Sequence, residues 1–264
     1  MDESNASNQI AGDFLAVLKR QRVISDVPSV TAARPDFTET VATTILGFKF
    51  AGGVLVAGDR RATAGNVVMY DRADKVLDID RHSVMAIAGS PATAWEMARI
   101  LEHSFKFYRR SQLQEMSVEG KVRALSKLLR DNLGMVIQGV GVVVPLFATY
   151  EKKSSDPAKL FFYDAMGAQF EATDFASSGS GAAAVRSVLY YEQSWGAKPL
   201  RERSKEASIL LALKALDTAA EADTATGGID RHGKIFPIIK IVSESGIETV
   251  DDDTLSKLFQ AHVA

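Results

Sequence analysis

Thr43 and Thr44 head an apolar segment, Val41-Ala42-Thr43-Thr44-Ile45, and Gly58-Asp59-Arg60-Arg61 and Lys75 follow at short distances. A threonine hydroxyl is a weak nucleophile at neutral pH. It becomes a competent one when the threonine is itself N-terminal, because its freed amine then serves as the general base. A cut between Ala42 and Thr43 would create that arrangement, making residues 1–42 a disposable propeptide and 43–264 the working domain. The chemistry also needs a cation to favour the alkoxide, a carboxylate to place that cation, and donors for the tetrahedral oxyanion. Lys75, among apolar neighbours and beside Asp74, suits the first role, since a partly buried lysine shifts its pKa readily. Asp59, at a strand end, is its natural carboxylate. Gly89, just ahead of Ser90-Pro91, offers a backbone N–H where a helix start also favours negative charge. Taken singly, a Thr-Thr pair fills a strand and an Asp–Lys pair decorates a surface; their combination carries the weight.

Two further small, polar, glycine-bearing segments stand where loops carry function: Ser178-Gly179-Ser180-Gly181 after a strand, and Asp223-Thr224-Ala225-Thr226-Gly227-Gly228 after a helix. Each alone equally suits a turn with a helix cap or a glycine helix stop. Gly179-Ser180-Gly181-Ala182-Ala183-Ala184 imitates a dinucleotide fingerprint, but it opens no βαβ unit and Glu202 falls on a helix approach instead of a strand end. No Gly-x-Ser-x-Gly elbow supports a Ser-His-Asp hydrolase. Cysteine is absent, which excludes disulfides, thiolate nucleophiles and Cys-ligated zinc. The four histidines, His82, His103, His232 and His262, form no close pair and receive no role. Neither a metal nor an organic cofactor is expected.

The elements that must position these residues are readable from periodicity. Ile45–Phe50 and Val54–Ala57, joined through Ala51-Gly52-Gly53, form a hairpin. Further strands are expected over Asn66–Tyr70, Lys75–Ile79 and Ser83–Ala88. Ala94, Ala98, Leu101, Phe105 and Tyr108 repeat on one face of a helix over about 92–110. Ser117 caps a second helix, whose apolar positions run through Val122, Leu125 and Leu129 to Val136. Strands return at 142–150, 160–164, 169–173 and 175–178, helices at 182–192 and about 205–221, and strands at 235–242 and 248–250. Such segregated blocks predict an α+β protein, most simply two antiparallel sheets between helix layers, and not a doubly wound parallel sheet. Residues 1–40, with an amphipathic piece over Ile10–Val23 and prolines at 28 and 35, read as an appendage.

Of the 264 residues 46% are hydrophobic and 24% charged, enough apolar surface for one substantial core. Residues 1–42 hold six acidic and four basic side chains, leaving 27 of each in the remainder. A neutral body gives no electrostatic case for nucleic acid or a membrane surface. Asp13 interrupts the apolar run Ile10–Leu18, so no secretory signal is expected there. The longest apolar run, Met135–Ala148, contains Gln138 and Pro145 and is too short for the roughly 30 Å core of a bilayer.

Taken together, Thr43-Thr44-Ile45, Ala57-Gly58-Asp59-Arg60-Arg61-Ala62-Thr63, Lys75, Ile87-Ala88-Gly89, Gly179-Ser180-Gly181 and Asp223-Thr224-Ala225-Thr226-Gly227-Gly228 make the chain resemble a proteasome β subunit over about 43–250. The Gly-Asp-Arg-Arg-x-Thr and Asp-x-Ala-Thr-Gly-Gly forms resemble the bacterial, actinobacterial type. The resemblance implies the four-layer αββα sandwich of the N-terminal nucleophile hydrolases and autocatalytic removal of the propeptide at Ala42-Thr43. It implies a cytoplasmic threonine peptidase in heptameric β rings stacked on α-subunit rings, reached by an ATPase ring through the α subunits, with unfolded proteins as substrates. Carried over by position, Thr43 is the nucleophile, Asp59 and Lys75 tune it, Gly89 stabilises the oxyanion, and Ser180, Asp223 and Thr226 orient the amine. The family more often has serine at the position of Thr226; threonine keeps the hydroxyl.

Thr63 would pair through its backbone with an extended substrate. Ala62, Ala73, Leu77, Ile87, Pro91 and Trp95 would line an uncharged pocket for the side chain before the scissile bond. Pro91 departs from the family pattern in having no N–H to offer a substrate backbone. A non-catalytic ring subunit is the rival of a different class. The simpler two-ring bacterial protease of the same superfamily is a second rival, but it typically has Gly-Asp-Gly-Gln where this chain has Gly58-Asp59-Arg60-Arg61.

Overall fold

The computed structural model describes residues 43–64, 67–230 and 235–262. The expectations placed on residues 1–42, Ala42 and the Ile10–Val23 segment included, and on Asn66 and His232, lie outside them.

Strands β1 (Thr44–Phe50) and β2 (Gly53–Gly58) are buried along their whole length. This explains why both read as continuous apolar runs and not as alternating ones. They form the predicted hairpin, with Ile45 opposite Gly58 and Phe50 opposite Gly53. Gly53 adopts φ +141, and a Cβ there would meet the Val242 carbonyl oxygen at 2.2 Å, so the turn requires glycine. Strands β11 (Ile238–Ser243) and β12 (Gly246–Thr249) extend this sheet on one side and β10 (Phe175–Gly179) on the other. The result is an antiparallel sheet of order β10-β1-β2-β11-β12. A second antiparallel sheet contains β5 (Val76–Asp80), β6 (Ser83–Ala86), β7 (Leu146–Tyr150), β8 (Ala158–Tyr163) and β9 (Gln169–Glu171) in sequence order. Strands β3 (Ala62–Ala64) and β4 (Val67–Tyr70) form a separate hairpin.

Side-chain alternation sorts the strands into layers. Along β1 and β2, Ile45, Val54 and Val56 join Val84, Leu146 and Leu160 in a core between the sheets. Leu46, Phe48, Leu55 and Ala57 point the other way, onto α4 (Ala182–Trp195), α5 (Lys205–Ala222) and α6 (Asp252–His262). On the opposite face, α1 (Pro91–Gln112) and α2 (Val118–Asp131) cover the second sheet through Ala94, Ala98, Leu101, Phe105, Val122, Leu125 and Leu129. The architecture is therefore the expected four-layer αββα sandwich of the α+β class. Gly47 lets the sheets approach: a Cβ there would lie 3.0 Å from Leu160 Cδ1.

Several boundaries differ from the sequence reading for local reasons. The second helix ends at Asp131 instead of running to Val136, because Asn132 closes it with its N–H and donates Nδ2–H to Gly141 O at 2.7 Å. A five-residue helix, α3 (Leu133–Ile137), follows. The strand expected from 142 begins at Leu146, after Pro145, and the one expected from 235 begins at Ile238, after Pro237. A proline lacks the donor that a ladder needs. Helix α6 was not anticipated, although Asp251 caps it through Thr254 N–H at 2.8 Å and Leu255 and Phe259 bury one helical face.

Three lysines among the described residues pair with carboxylates between the two sheets. Lys49 of β1, 2% exposed, meets Asp156 at 3.1 Å and Glu171 at 3.8 Å. Lys240 of β11 meets Asp78 of β5 at 2.9 Å, and Lys75, just ahead of β5, meets Asp59 beyond β2 at 2.7 Å. A buried ion pair costs desolvation comparable to what it returns, whereas removing one partner strands the other charge. We therefore expect Lys49→Met to leave stability within about 1 kcal/mol of the wild type. Asp156→Ala, which leaves the buried Lys49 ammonium without its nearest acceptor, should cost about 1–3 kcal/mol. Urea midpoints of the two variants check this, and the reverse order would contradict it.

Candidate active site

The site is built where β1 begins, where β2 ends, and where the strand-to-helix connections of both sheets converge. Thr43 is buried immediately ahead of β1, and its carbonyl accepts Ser180 N–H at 2.9 Å. The closeness of that contact depends on Gly179, which pairs with Thr44 at φ +99. A Cβ at 179 would stand 1.7 Å from Thr43 O, so any side chain there would expel the threonine from its place.

Asp59 is fully buried and accepts four hydrogen bonds. Oδ1 takes Thr44 N–H at 2.8 Å and Lys75 Nζ at 2.7 Å; Oδ2 takes Arg61 N–H at 3.0 Å and Gly227 N–H at 2.9 Å. One carboxylate oxygen thus holds both the Thr43–Thr44 peptide and the Lys75 ammonium. Lys75 also donates to Arg61 O at 2.5 Å, which leaves one of its three protons without an acceptor among the described residues. Burial pulls the Lys75 pKa down, the Asp59 charge and hydrogen bond push it up, and the balance lies below the ordinary lysine value. Such an ammonium gives and retakes a proton more readily than a surface lysine.

Across β1 lies a second carboxylate cluster. Asp223 Oδ2 accepts Ser180 Oγ–H at 2.5 Å and Thr226 Oγ1–H at 2.6 Å, while Oδ1 accepts Ala225 N–H at 3.1 Å. Burial raises its pKa, but the bonds from Ser180, Thr226 and Ala225 and the Arg61 charge outweigh it and hold the carboxyl below the usual range. Gly89 sits at φ +105 between two backbone bonds, Ser90 N–H to Val142 O at 2.7 Å and Val144 N–H to Ala88 O at 2.9 Å. A Cβ there would lie 2.0 Å from Val142 O, and among the described residues its own N–H meets no acceptor. A fixed, unused N–H at this place has the form of an oxyanion donor.

The expected site residues therefore fall into two carboxylate-centred groups, Asp59 with Lys75 and Asp223 with Ser180 and Thr226, joined through residues 43 and 44. Thr63 is buried on β3, which pairs only β4 among the described residues. Of the six expected pocket residues, Ala73 and Ile87 are buried, Ala62, Leu77 and Pro91 half-buried, and Trp95 exposed. Leu77 and Trp95 also line a cavity of about 600 Å³ walled by Asp74, Asp78, Glu96 and Glu102 and by Arg99 and Lys240. Those charged walls were not foreseen. Nor were the roles of Arg61, whose carbonyl seats Lys75 and whose guanidinium donates to Thr224 O and Thr226 O, of the Gly227 N–H, or of the Thr44 hydroxyl. The runs Gly58-Asp59-Arg60-Arg61 and Thr226-Gly227-Gly228 drew attention to the right segments, but a backbone donor or acceptor leaves no mark on residue type.

A four-layer αββα sandwich with a threonine heading its first strand is the fold of the N-terminal nucleophile hydrolases. Within that class the chain belongs to the proteasome subunit family, whose model matches residues 40–233. It is similar to the proteasome subunit beta of Streptosporangium roseum, 39% identical over 213 residues, covering 80% of this chain and 72% of that protein. It is also similar to the proteasome subunit beta of Acidothermus cellulolyticus, 36% identical over 226 residues and covering 84% and 75%. That of Streptomyces griseus is 36% identical over 219 residues, covering 82% and 74%. No helix among the described residues is long and apolar enough to cross a membrane.

Because the folded value of Asp223 lies below the ordinary 3.8, its bonds stabilise the fold fully above that pH and are lost as pH falls through the lowered value. The stability advantage of the wild type over Asp223→Asn should therefore be constant near neutrality and shrink on acidification below pH 3.8. Urea midpoints of both proteins measured across that range check it; an advantage that grew on acidification would contradict the assignment.

Proposed function

We propose that this chain is the catalytic β subunit of a bacterial proteasome core particle, a threonine endopeptidase acting on unfolded proteins inside a closed chamber. The observation that carries the reading is Asp59 Oδ1, which holds Thr44 N–H at 2.8 Å and Lys75 Nζ at 2.7 Å. It sets a buried ammonium, with a proton to spare, beside the peptide that follows Thr43.

The first reaction is on the chain itself. Thr43 Oγ attacks the Ala42 carbonyl, the Ala42–Thr43 C–N bond gives way to an ester on Oγ, and water hydrolyses that ester, freeing residues 1–42 and the Thr43 amine. Lys75, in the neutral form that its lowered pKa makes accessible, takes up the hydroxyl proton and returns it to the Thr43 nitrogen. In the mature enzyme the Thr43 amine is the base. Oγ attacks a substrate carbonyl, the Gly89 N–H stabilises the oxyanion, and the amine passes the proton to the leaving nitrogen. Water then hydrolyses the acyl ester with the same amine as base. Ser180, Asp223 and Thr226 orient that amine, and β3 at Thr63 pairs the substrate backbone. No step calls for a metal or cofactor. Assembly into heptameric β rings against α-subunit rings in the cytoplasm, with an ATPase ring acting through the α subunits, follows from the same reading. A ring subunit that is purely structural would have no need of an unused Gly89 N–H or of a lysine held below its ordinary pKa.

Thr43→Ala should retain residues 1–42 in intact mass after co-expression with an α subunit, and should hydrolyse no fluorogenic peptide. Removal of those residues in that variant would refute self-cleavage by Thr43. Lys75→Ala, with Thr43 intact, should reduce peptide hydrolysis by roughly 10²–10⁴-fold, the range for a lost proton-transfer group. In a peptide panel the mature enzyme should prefer apolar side chains before the scissile bond. Preference for Arg would transfer the pocket to the carboxylate-walled cavity beside Leu77 and Trp95.

A further inference from the structure

Thr44 follows the nucleophile and could pass for a strand-filling residue. Its hydroxyl is wholly buried, accepts Gly181 N–H at 2.9 Å, and lies 2.5 Å from Thr226 Oγ1. The direction of that last bond follows from proton counting. Thr226 has one hydroxyl proton and gives it to Asp223 Oδ2 at 2.6 Å, an acceptor that already takes the Ser180 proton. Thr226 can therefore only accept from Thr44. The chain of donors runs one way: Gly181 N–H to Thr44 Oγ1, Thr44 to Thr226, Thr226 to Asp223, with Ser180 entering from the other side.

Resting on the proposed function above, we propose that Thr44 is a positioning residue of the peptidase, whose hydroxyl locks the Thr226 rotor and occupies one of its lone pairs, so that the Thr43 amine is held in its neutral, proton-accepting form. Each hydroxyl in such a relay has a single orientation, and successive bonds polarise one another. With one lone pair taken by Thr44, Thr226 Oγ1 has one left for the amine. Without the Thr44 proton both are free, and a ring of acceptors favours the ammonium, which cannot act as base. Residue 44 is fixed for this task on three sides, since its N–H and C=O are also bonded to Asp59, to Oδ1 at 2.8 Å and from the Asp59 N–H at 3.1 Å. Gly181 is fitted to it as well: a Cβ there would lie 2.5 Å from Thr44 Oγ1 and 2.7 Å from Thr226 Oγ1.

The charged groups hydrogen-bonded to Thr44, to Thr226 or to Asp59 are Lys75 and Arg61, which oppose an ammonium at residue 43, and Asp59 and Asp223, which favour it. Thr44→Val changes none of them and keeps the β-branched shape. In the assembled, processed particle, normalised by active-site titration, Thr44→Val should lower kcat roughly ten- to a hundredfold with KM unchanged. It should also move the acid limb of the kcat–pH profile to higher pH. Thr44→Ser, which keeps the hydroxyl, should restore both. A Val variant with wild-type kcat and pH profile, or a Ser variant as impaired as Val, would overturn the proposal. Should the Val variant fail to assemble, Thr44→Ala, which also lacks the hydroxyl and crowds no neighbour, takes its place. It must then show the same acid-limb shift, and an unshifted profile overturns the proposal. Thr43→Ala separates the two ideas: activity in that variant ends the threonine-peptidase reading, whereas its inactivity beside a fully active Thr44→Val ends only the role given to Thr44.

Discussion

Everything at this site hangs on the Asp59 carboxylate. It is wholly removed from solvent, and four donors converge on it from four stretches of chain: Thr44 at the start of β1, Arg61 after β2, Lys75 ahead of β5, and Gly227 in the loop after α5. Desolvating a carboxylate and an ammonium costs several kcal/mol for each ion. Charge-assisted hydrogen bonds of about 1.5–3 kcal/mol apiece offset that cost only if nearly all of them form. The geometry is thus all-or-none, since a shifted β2 end would leave a buried charge with too few partners. Placing the Thr43–Thr44 peptide and holding the lysine are one constraint.

The sandwich supplies the rigidity that this constraint needs. Asp59 follows β2 of one sheet and Lys75 precedes β5 of the other, so their 2.7 Å contact fixes the spacing of the sheets at the site end. Lys49 with Asp156 does so near the opposite end of β1, and Lys240 of β11 does so with Asp78 of β5, the end strand of the second sheet. Between them the gap is filled by small and branched side chains, Val54, Val56, Val84, Ala86 and Ala148, with Gly47 against Leu160. An interior packed at crystal-like density transmits a displacement instead of absorbing it. A site whose parts come from both sheets therefore keeps its geometry without a metal or a disulfide.

Much of this was legible in the sequence, for a physical reason. Residues whose chemistry is in the side chain, Thr43, Asp59, Lys75, Ser180, Asp223 and Thr226, announce themselves by type, and the glycines at 89 and 179 by the positive φ that excludes other residues. The layer order followed from blocks of period-2 and period-3.6 pattern. What stayed hidden were contributions of the main chain, such as the Arg61 carbonyl on Lys75 and the Gly227 N–H on Asp59, because any residue carries those groups. The break at Asn132 was hidden because the apolar spacing continues past it, and only the Asn132–Gly141 bond ends the helix. The last helix was overlooked although Asp251-Asp252-Asp253-Thr254 is a serviceable cap, since a short amphipathic run has little periodicity to read.

The same distinction explains why Thr44 escaped notice. On a strand, neighbouring side chains point to opposite faces, so Thr44 points away from the side of Thr43 and, like Leu46, toward the helix layer. That is where the Asp223 cluster lies. Thr44 is thus the residue whose main chain is fastened to one carboxylate and whose side chain to the other. Asp59 grips its N–H and C=O, while Gly181 and Thr226 hold its hydroxyl. A peptide held at both ends of this span cannot rotate without breaking a buried hydrogen bond on one side. Thr43, the proposed nucleophile, is attached to that peptide, and its orientation is set by the residue that follows it as much as by the groups around it.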